Sequence, residues 1–203
     1  MRWPWILAAS LATSSPVSPD GQSGRGGALP RAVIDNARVR VYGMTADALG
    51  SLEHAPAVIV SLGESDLGKA MWTDDAARAG ASASGRIVVV QPGRASSSPP
   101  PPAASRPGDA PFTGMSFKTM FENERVSVIR ARMEVGAREG FHTHGADTIV
   151  VHLSGGEIED TADGKTVVNR WTRGDVEFEG RGTSHSARNV GGAVDVVLVA
   201  LKP

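Results

Sequence analysis

The sequence predicts an all-β chain, with a small barrel or sandwich in its C-terminal half. Three observations carry this reading. Short runs of β-branched and alternating residues recur at close spacing through the second half, such as Thr148–Leu153, Asp175–Glu179 and Val194–Leu201. The 203 residues include 24 Gly and 13 Pro, a supply of turn formers that suits short strands better than a helical bundle. No segment of that half sustains a helical period.

Taken in order, Met1–Ser15 has one positive charge at Arg2, an apolar stretch over 3–12 and small residues beyond it. That is the pattern of a signal peptide within residues 1–20, and it implies export to a periplasm or to the medium; without export the chain stays in the cytoplasm. The stretch is shorter than the roughly 20 residues of a membrane span. Residues 13–30 are rich in Ser, Pro and Gly and are expected to lack order. The segment 94–111 repeats that composition around the run Pro99–Pro102 and reads as a linker.

The two flanking halves are similar to each other. Ile34–Val41 parallels Phe121–Val128, Val58–Leu62 parallels Ile149–Leu153, and Gly85–Gly93 parallels Gly174–Gly182. The first half, 31–93, is therefore expected to be a worn copy of the β unit in 112–203. It keeps His54 near the histidine region, and Ser97 stands where His185 falls. Within 66–79 a helical turn is expected. In the second half, Ala162–Lys165 is a tight-turn signal between two strands.

Charge and composition exclude several functions. Twenty-one basic and 22 acidic residues leave a net charge of −1 with no basic stripe, so nucleic acid is not an expected partner. With no cysteine, disulfides, thiolate metal sites and cysteine nucleophiles are ruled out. No phosphate-binding loop, dinucleotide fingerprint or nucleophile elbow is present, so no cofactor-binding residues are assigned.

The chemistry concentrates in three of the five histidines. His142 and His144 are two apart, so on a strand they share a face and can lean onto one ion at about 2.0–2.1 Å. Gly180 and Gly182 free the backbone before His185, consistent with a loop that returns it to the pair. An exposed pair without an ion has the same spacing.

These residues sit in two glycine-framed segments, Gly136 to Gly155 and Gly174 to Asn189, that resemble the two motifs of the cupin superfamily. Gly136, His142, His144, Gly155, Gly174, Gly182, His185 and Asn189 occupy eight of ten fixed motif positions. The resemblance implies a small cupin-like jelly-roll barrel over 112–203, with a degenerate cupin-like β unit in the first half. It also implies a divalent metal on His142, His144 and His185, a small polar or anionic ligand in the barrel mouth, and a homodimer. Gly180 replaces the family's proline. Thr148 stands where the family has a glutamate ligand; Asp147, one residue early, points to the opposite strand face and substitutes poorly. A three-histidine site favours zinc, iron(II), nickel or copper over manganese.

Three functions follow as expectations: a metal- and ligand-binding cupin, a metal-dependent dioxygenase or isomerase, and a non-catalytic cupin with a relic site. Catalytic residues remain unassigned, because no carboxylate, tyrosine or lysine is placed by sequence beside the histidines. His152, in an apolar run, reads as a hydrogen-bonded core residue. Arg130 and Arg132 share a face and read as exposed, although such a pair can grip a carboxylate. Glu177 and Glu179 read as a solvated face.

Overall fold

A computed structural model describes residues 30–81, 84–93 and 112–203. The signal-peptide segment, the Ser/Pro/Gly stretch up to residue 29, the linker over 94–111 and Ser97 lie outside the described residues.

The described residues are almost entirely β. The first half supplies β1 (Ile34–Asp35), β2 (Val39–Thr45), β3 (Ala57–Ser61), β4 (Ala70–Thr73) and β5 (Arg86–Pro92). The second supplies β6 (Thr113–Glu122), β7 (Val126–Thr143), β8 (Asp147–His152), β9 (Gly156–Ala162), β10 (Lys165–Trp171), β11 (Val176–Glu179), β12 (Ser184–Asn189) and β13 (Val194–Leu201). Helical structure is confined to two 3₁₀ segments, Ala46–Ser51 and Ala76–Ala81. The turn expected within 66–79 is thus displaced toward the end of that stretch. Its middle is β4, because Ala70–Thr73 pairs with β3 and tertiary pairing overrides local propensity.

All pairings are antiparallel and form two sheets. The first runs β1-β2-β5-β3-β4; the second runs β10-β9-β12-β7-β13-β8-β11, with β6 also on β7. The β9–β10 turn has φ of 51° at Asp163 and 73° at Gly164, the left-handed pair that a two-residue hairpin needs.

The sheets stack through one core. Val39, Val41, Val58, Val60, Val88 and Val90 of the first sheet meet Val126, Val128, Ile149, Val151, Leu153, Val197, Val199 and Leu201 of the second. The first sheet is buried on both sides. Ile59, Ile87 and Val89 face Leu49, Leu52 and Ala76 of the 3₁₀ segments and their flanks, so β3 and β5 read as unbroken apolar runs. Each fully buried Val or Leu contributes about 1.5–3 kcal/mol of burial, and this shared core holds the halves together.

The strand order β1-β2-β5-β3-β4 matches β6-β7-β13-β8-β11 of the second sheet. Matching turns accompany it. Asn36 Oδ1 accepts from the amides of Arg38 and Val39, as Asn123 Oδ1 does from those of Arg125 and Val126. Gly93 N donates to Arg38 O, and Lys202 N to Arg125 O. Two of the three sequence parallels follow this order. The third is shifted: β5 lies between β2 and β3, as β13 lies between β7 and β8. Gly174–Gly182 instead carries the edge strand β11, whose place in the first sheet is taken by β4. Val-rich strands are interchangeable by composition, and only the pairing tells a central strand from an edge.

Strands β9, β10 and β12 have no counterpart in the first sheet among the described residues. They curl over the second sheet's other face into an antiparallel half-barrel that encloses a cavity of about 250 Å³.

Candidate metal centre

The backbone around the histidines explains their convergence. His185 on β12 lies directly across from His142 on β7. His144 N donates to Thr183 O and Gly182 N to His144 O, which fixes the third imidazole beside the Gly180–Thr183 turn. Gly182 has φ of 86°, a conformation that a residue with a Cβ adopts only under strain. Asn189, 1 % exposed, closes the motif: its Nδ2 donates to the carbonyls of Met133, Glu134 and Gly192.

Among the described residues, His142, His144 and His185 form the one group able to hold a metal ion, with one nitrogen from each lying within 4.8 Å of the others. His144 Nε2 and His185 Nε2 are 3.1 Å apart. Two bonds of about 2.1 Å enclosing roughly 95° span that distance. The other ring nitrogens are turned outward. His142 Nδ1 donates to Gly140 O at 2.9 Å, His185 Nδ1 meets Asp160 Oδ1 at 2.8 Å, and His144 Nδ1 faces Glu179 Oε2 at 3.5 Å. Nδ1 partners of this kind direct the Nε2 lone pairs inward, the arrangement found around bound metals. The residues present fit a divalent ion.

Carboxylates surround the cluster, contrary to the sequence expectation. Glu139 Oε2 is 3.8 Å from His185 Nε2, and Asp160, Glu177 and Glu179 line the same cavity. A bulge explains Glu139. Three steps along β7, from Glu139 to His142, oppose two along β12, from His185 to Ala187, so positions that a regular strand would put on opposite faces share one. Glu177 and Glu179 are corrected from a solvated face to a cavity wall. Val176 and Phe178 pack on the inter-sheet core, which leaves the alternate residues pointing into the half-barrel. Alternation identifies two faces of a strand, but not which of them meets water.

The electrostatics follow from burial and crowding. Burial, reinforced by the charge of Glu177, pushes Glu179 up to about 8; burial, with Asp160 next, pushes Glu177 up to about 7. His144 falls to about 4, through burial first and then the charges of His185 and His142. For His185, burial lowers the pKa but is outweighed by the Asp160 hydrogen bond and the Glu139 and Glu179 charges, which carry it to about 9.

The remaining candidates sort clearly. Thr148 lines the cavity and lies directly across from Glu179. Asp147 is turned away: Arg38 Nε donates to its Oδ2 at 2.7 Å and Arg181 N to its Oδ1 at 2.9 Å. Arg130 is held by Asp195 through contacts of 3.0 and 2.6 Å, and Arg132 by Glu134 at 2.6 Å, so neither is poised on a ligand. His54 is outside the site, paired with Asp75 at 3.0 Å. His152 is buried, but neither ring nitrogen has a hydrogen-bond partner among the described residues. It stacks on Trp171 with ring centroids 4.6 Å apart and lines the cavity. Sequence reading missed Glu139, Asp160 and Trp171; the i, i+2 spacing of apolar Ile158 and Asp160, which both line the cavity, was the signal available for the second of these.

Fold and site together define a cupin-like β protein with a three-histidine cluster. The resemblance to the cupin superfamily extends to the site itself, where the motif histidines meet, Gly182 shapes the turn beside His144 and Asn189 holds the backbone carbonyls of Met133, Glu134 and Gly192. Solved structures similar to this chain include cupin domains. One from Bordetella pertussis Tohama I is 26 % identical over 44 % of this chain and 95 % of its own, with a TM-score of 0.42. An RmlC-like cupin from Shewanella frigidimarina is 19 % identical, covering 44 % and 78 % with a TM-score of 0.38. The polyketide cyclase RemF from Streptomyces resistomycificus is 14 % identical, covering 47 % and 70 % with a TM-score of 0.40. No family model matches the chain, and no curated relative does. No described helix is long and apolar enough to cross a membrane.

Proposed function

We propose that the second half binds one divalent transition-metal ion through His142, His144 and His185 and takes a small ligand in the adjoining cavity. The observation that carries this reading is the 3.1 Å approach of two Nε2 atoms whose Nδ1 atoms face Asp160 and Glu179. An all-imidazole donor set favours zinc, iron(II), nickel or copper over manganese. Such an ion, when bound, supplies Lewis acidity at its open positions. Of the expected ligand chemistries, the ring of Glu139, Asp160, Glu177 and Glu179 favours polar and uncharged over anionic.

A second reading, that of an enzyme, is favoured by Glu177 and Glu179. Carboxyls held near 7 and 8 exchange protons readily at neutral pH, which supplies the acid–base group that the sequence did not place. This supports proton-transfer chemistry of the isomerase kind over a relic site. In the same reading, 31–93 is a shortened cupin-like unit that has lost the strands carrying a site, and residues 1–20 direct export. Sequencing the N-terminus of the protein recovered outside the cytoplasm tests the last point.

Metal analysis of the purified full chain tests the main one. About one ion per chain is expected, falling to background in the His142→Ala/His185→Ala variant. Ion content that survives both substitutions refutes the assignment.

A further inference from the structure

The cavity extends well beyond the histidines. On β8, Thr148, Val150 and His152 face inward, while Ile149 and Val151 enter the inter-sheet core. Thr148 marks the histidine end, opposite Glu179. His152 lies four residues further along the strand, about 13 Å away at strand rise. The wall between them is apolar: Ala131, Met133, Val150, Ile158, Val196 and Leu198 line it. Aromatic rings flank both regions, Phe112 edge-on to His142 at 5.0 Å and Trp171 stacked on His152.

His152 is 1 % exposed, and neither ring nitrogen has a partner among the described residues. Burial holds the ring neutral, lowering its pKa to about 4, so it offers one N–H donor and one bare nitrogen acceptor. A buried imidazole satisfied by nothing is costly, and native proteins rarely leave one so. Four acidic side chains line the same cavity, while its cations are already engaged, Arg132 by Glu134 and the His185 imidazolium by Asp160.

We propose that His152 is a second ligand anchor, which hydrogen-bonds the polar group of a small, uncharged, largely apolar molecule, a planar ring with one hydroxyl or amide, lodged between Trp171 and the histidine cluster. This deepens the ligand half of the function proposed above and rests on the cavity being a ligand site, not on the metal. Apolar walls take the ring, the four acidic side chains disfavour an anion, and His152 distinguishes a hydroxylated ring from a bare one.

The test uses the full chain, treated with chelator so that metal plays no part, and three probes of similar size: phenol, toluene and benzoate. Calorimetric titration should rank phenol above toluene by about tenfold, the scale of one hydrogen bond to a buried group, with benzoate weakest. Phenol should also shift the ring nitrogens of His152 in nitrogen-15 spectra. In His152→Leu, toluene binding should persist, showing the cavity intact, while the preference for phenol disappears. Equal affinity for phenol and toluene in the native chain, a preference that survives His152→Leu, benzoate as the tightest probe, or no binding of any probe overturns the proposal. Metal uptake is measured separately, so its failure leaves this result standing and the reverse also holds.

Discussion

Nε2 of His144 and Nε2 of His185 lie 3.1 Å apart, with Asp160 behind the second ring and Glu179 behind the first. Without metal, the His185 imidazolium donates to both His144 and Asp160. A divalent ion bound there would replace that proton and satisfy three lone pairs instead of one. Because the unfolded chain holds no such cluster, such an ion would stabilise only the folded state. At a free zinc concentration about 100 times Kd the gain is about 2.7 kcal/mol, read as a rise in melting temperature. His185→Ala should show no such rise at the same concentration.

Asp160 is expected to act on the metal through His185. Removing its charge in Asp160→Asn frees the ring to rotate and lowers the basicity of Nε2. Zinc affinity should fall about 10- to 100-fold while the circular dichroism spectrum is unchanged. An affinity within twofold of the native value would show that the bulged strand pair alone orients His185.

Arg38 and Asp147 join the two sheets at 2.7 Å, with side chains 21 % and 12 % exposed. Asp147→Ala removes the carboxylate that accepts from Arg38 Nε and Arg181 N, and loss of a part-buried charged acceptor costs about 1.5–3 kcal/mol. Urea unfolding should show that loss with zinc affinity retained. The opposite pattern, intact stability with lost zinc binding, would make Asp147 a metal ligand after all.

Acid should weaken the fold through His152. Its folded pKa of about 4 lies below the usual 6.5, so the unfolded chain takes up the proton first. Its contribution is complete above pH 6.5 and is lost as pH falls toward 4, by up to about 3 kcal/mol. Melting curves of His152→Leu should be flatter than those of the native chain across that window. Parallel curves would mean that His152 titrates normally.

Much of this protein is legible along the chain. The alternation of Val194–Leu201, the hairpin signal at Asp163–Gly164 and the glycine frame around His142, His144 and His185 follow from local rules, because strand period, turn conformation and ligand spacing are properties of neighbouring residues. The roles of Glu177, Glu179 and His152 do not. Their segments alternate or run apolar whichever way they face, and a half-barrel interior is neither water nor dry core.

The sequence by itself determined the strands, the turns and the identity of the three histidines. Only the tertiary structure decided which face of each strand looks into the cavity, that a bulge on β7 brings Glu139 to the cluster, and that the first half completes a shared core with the second. The reason is physical. Period and propensity act over a few residues, whereas burial and charge at a site are set by strands distant in sequence, such as β7, β9, β11 and β12, meeting around one volume.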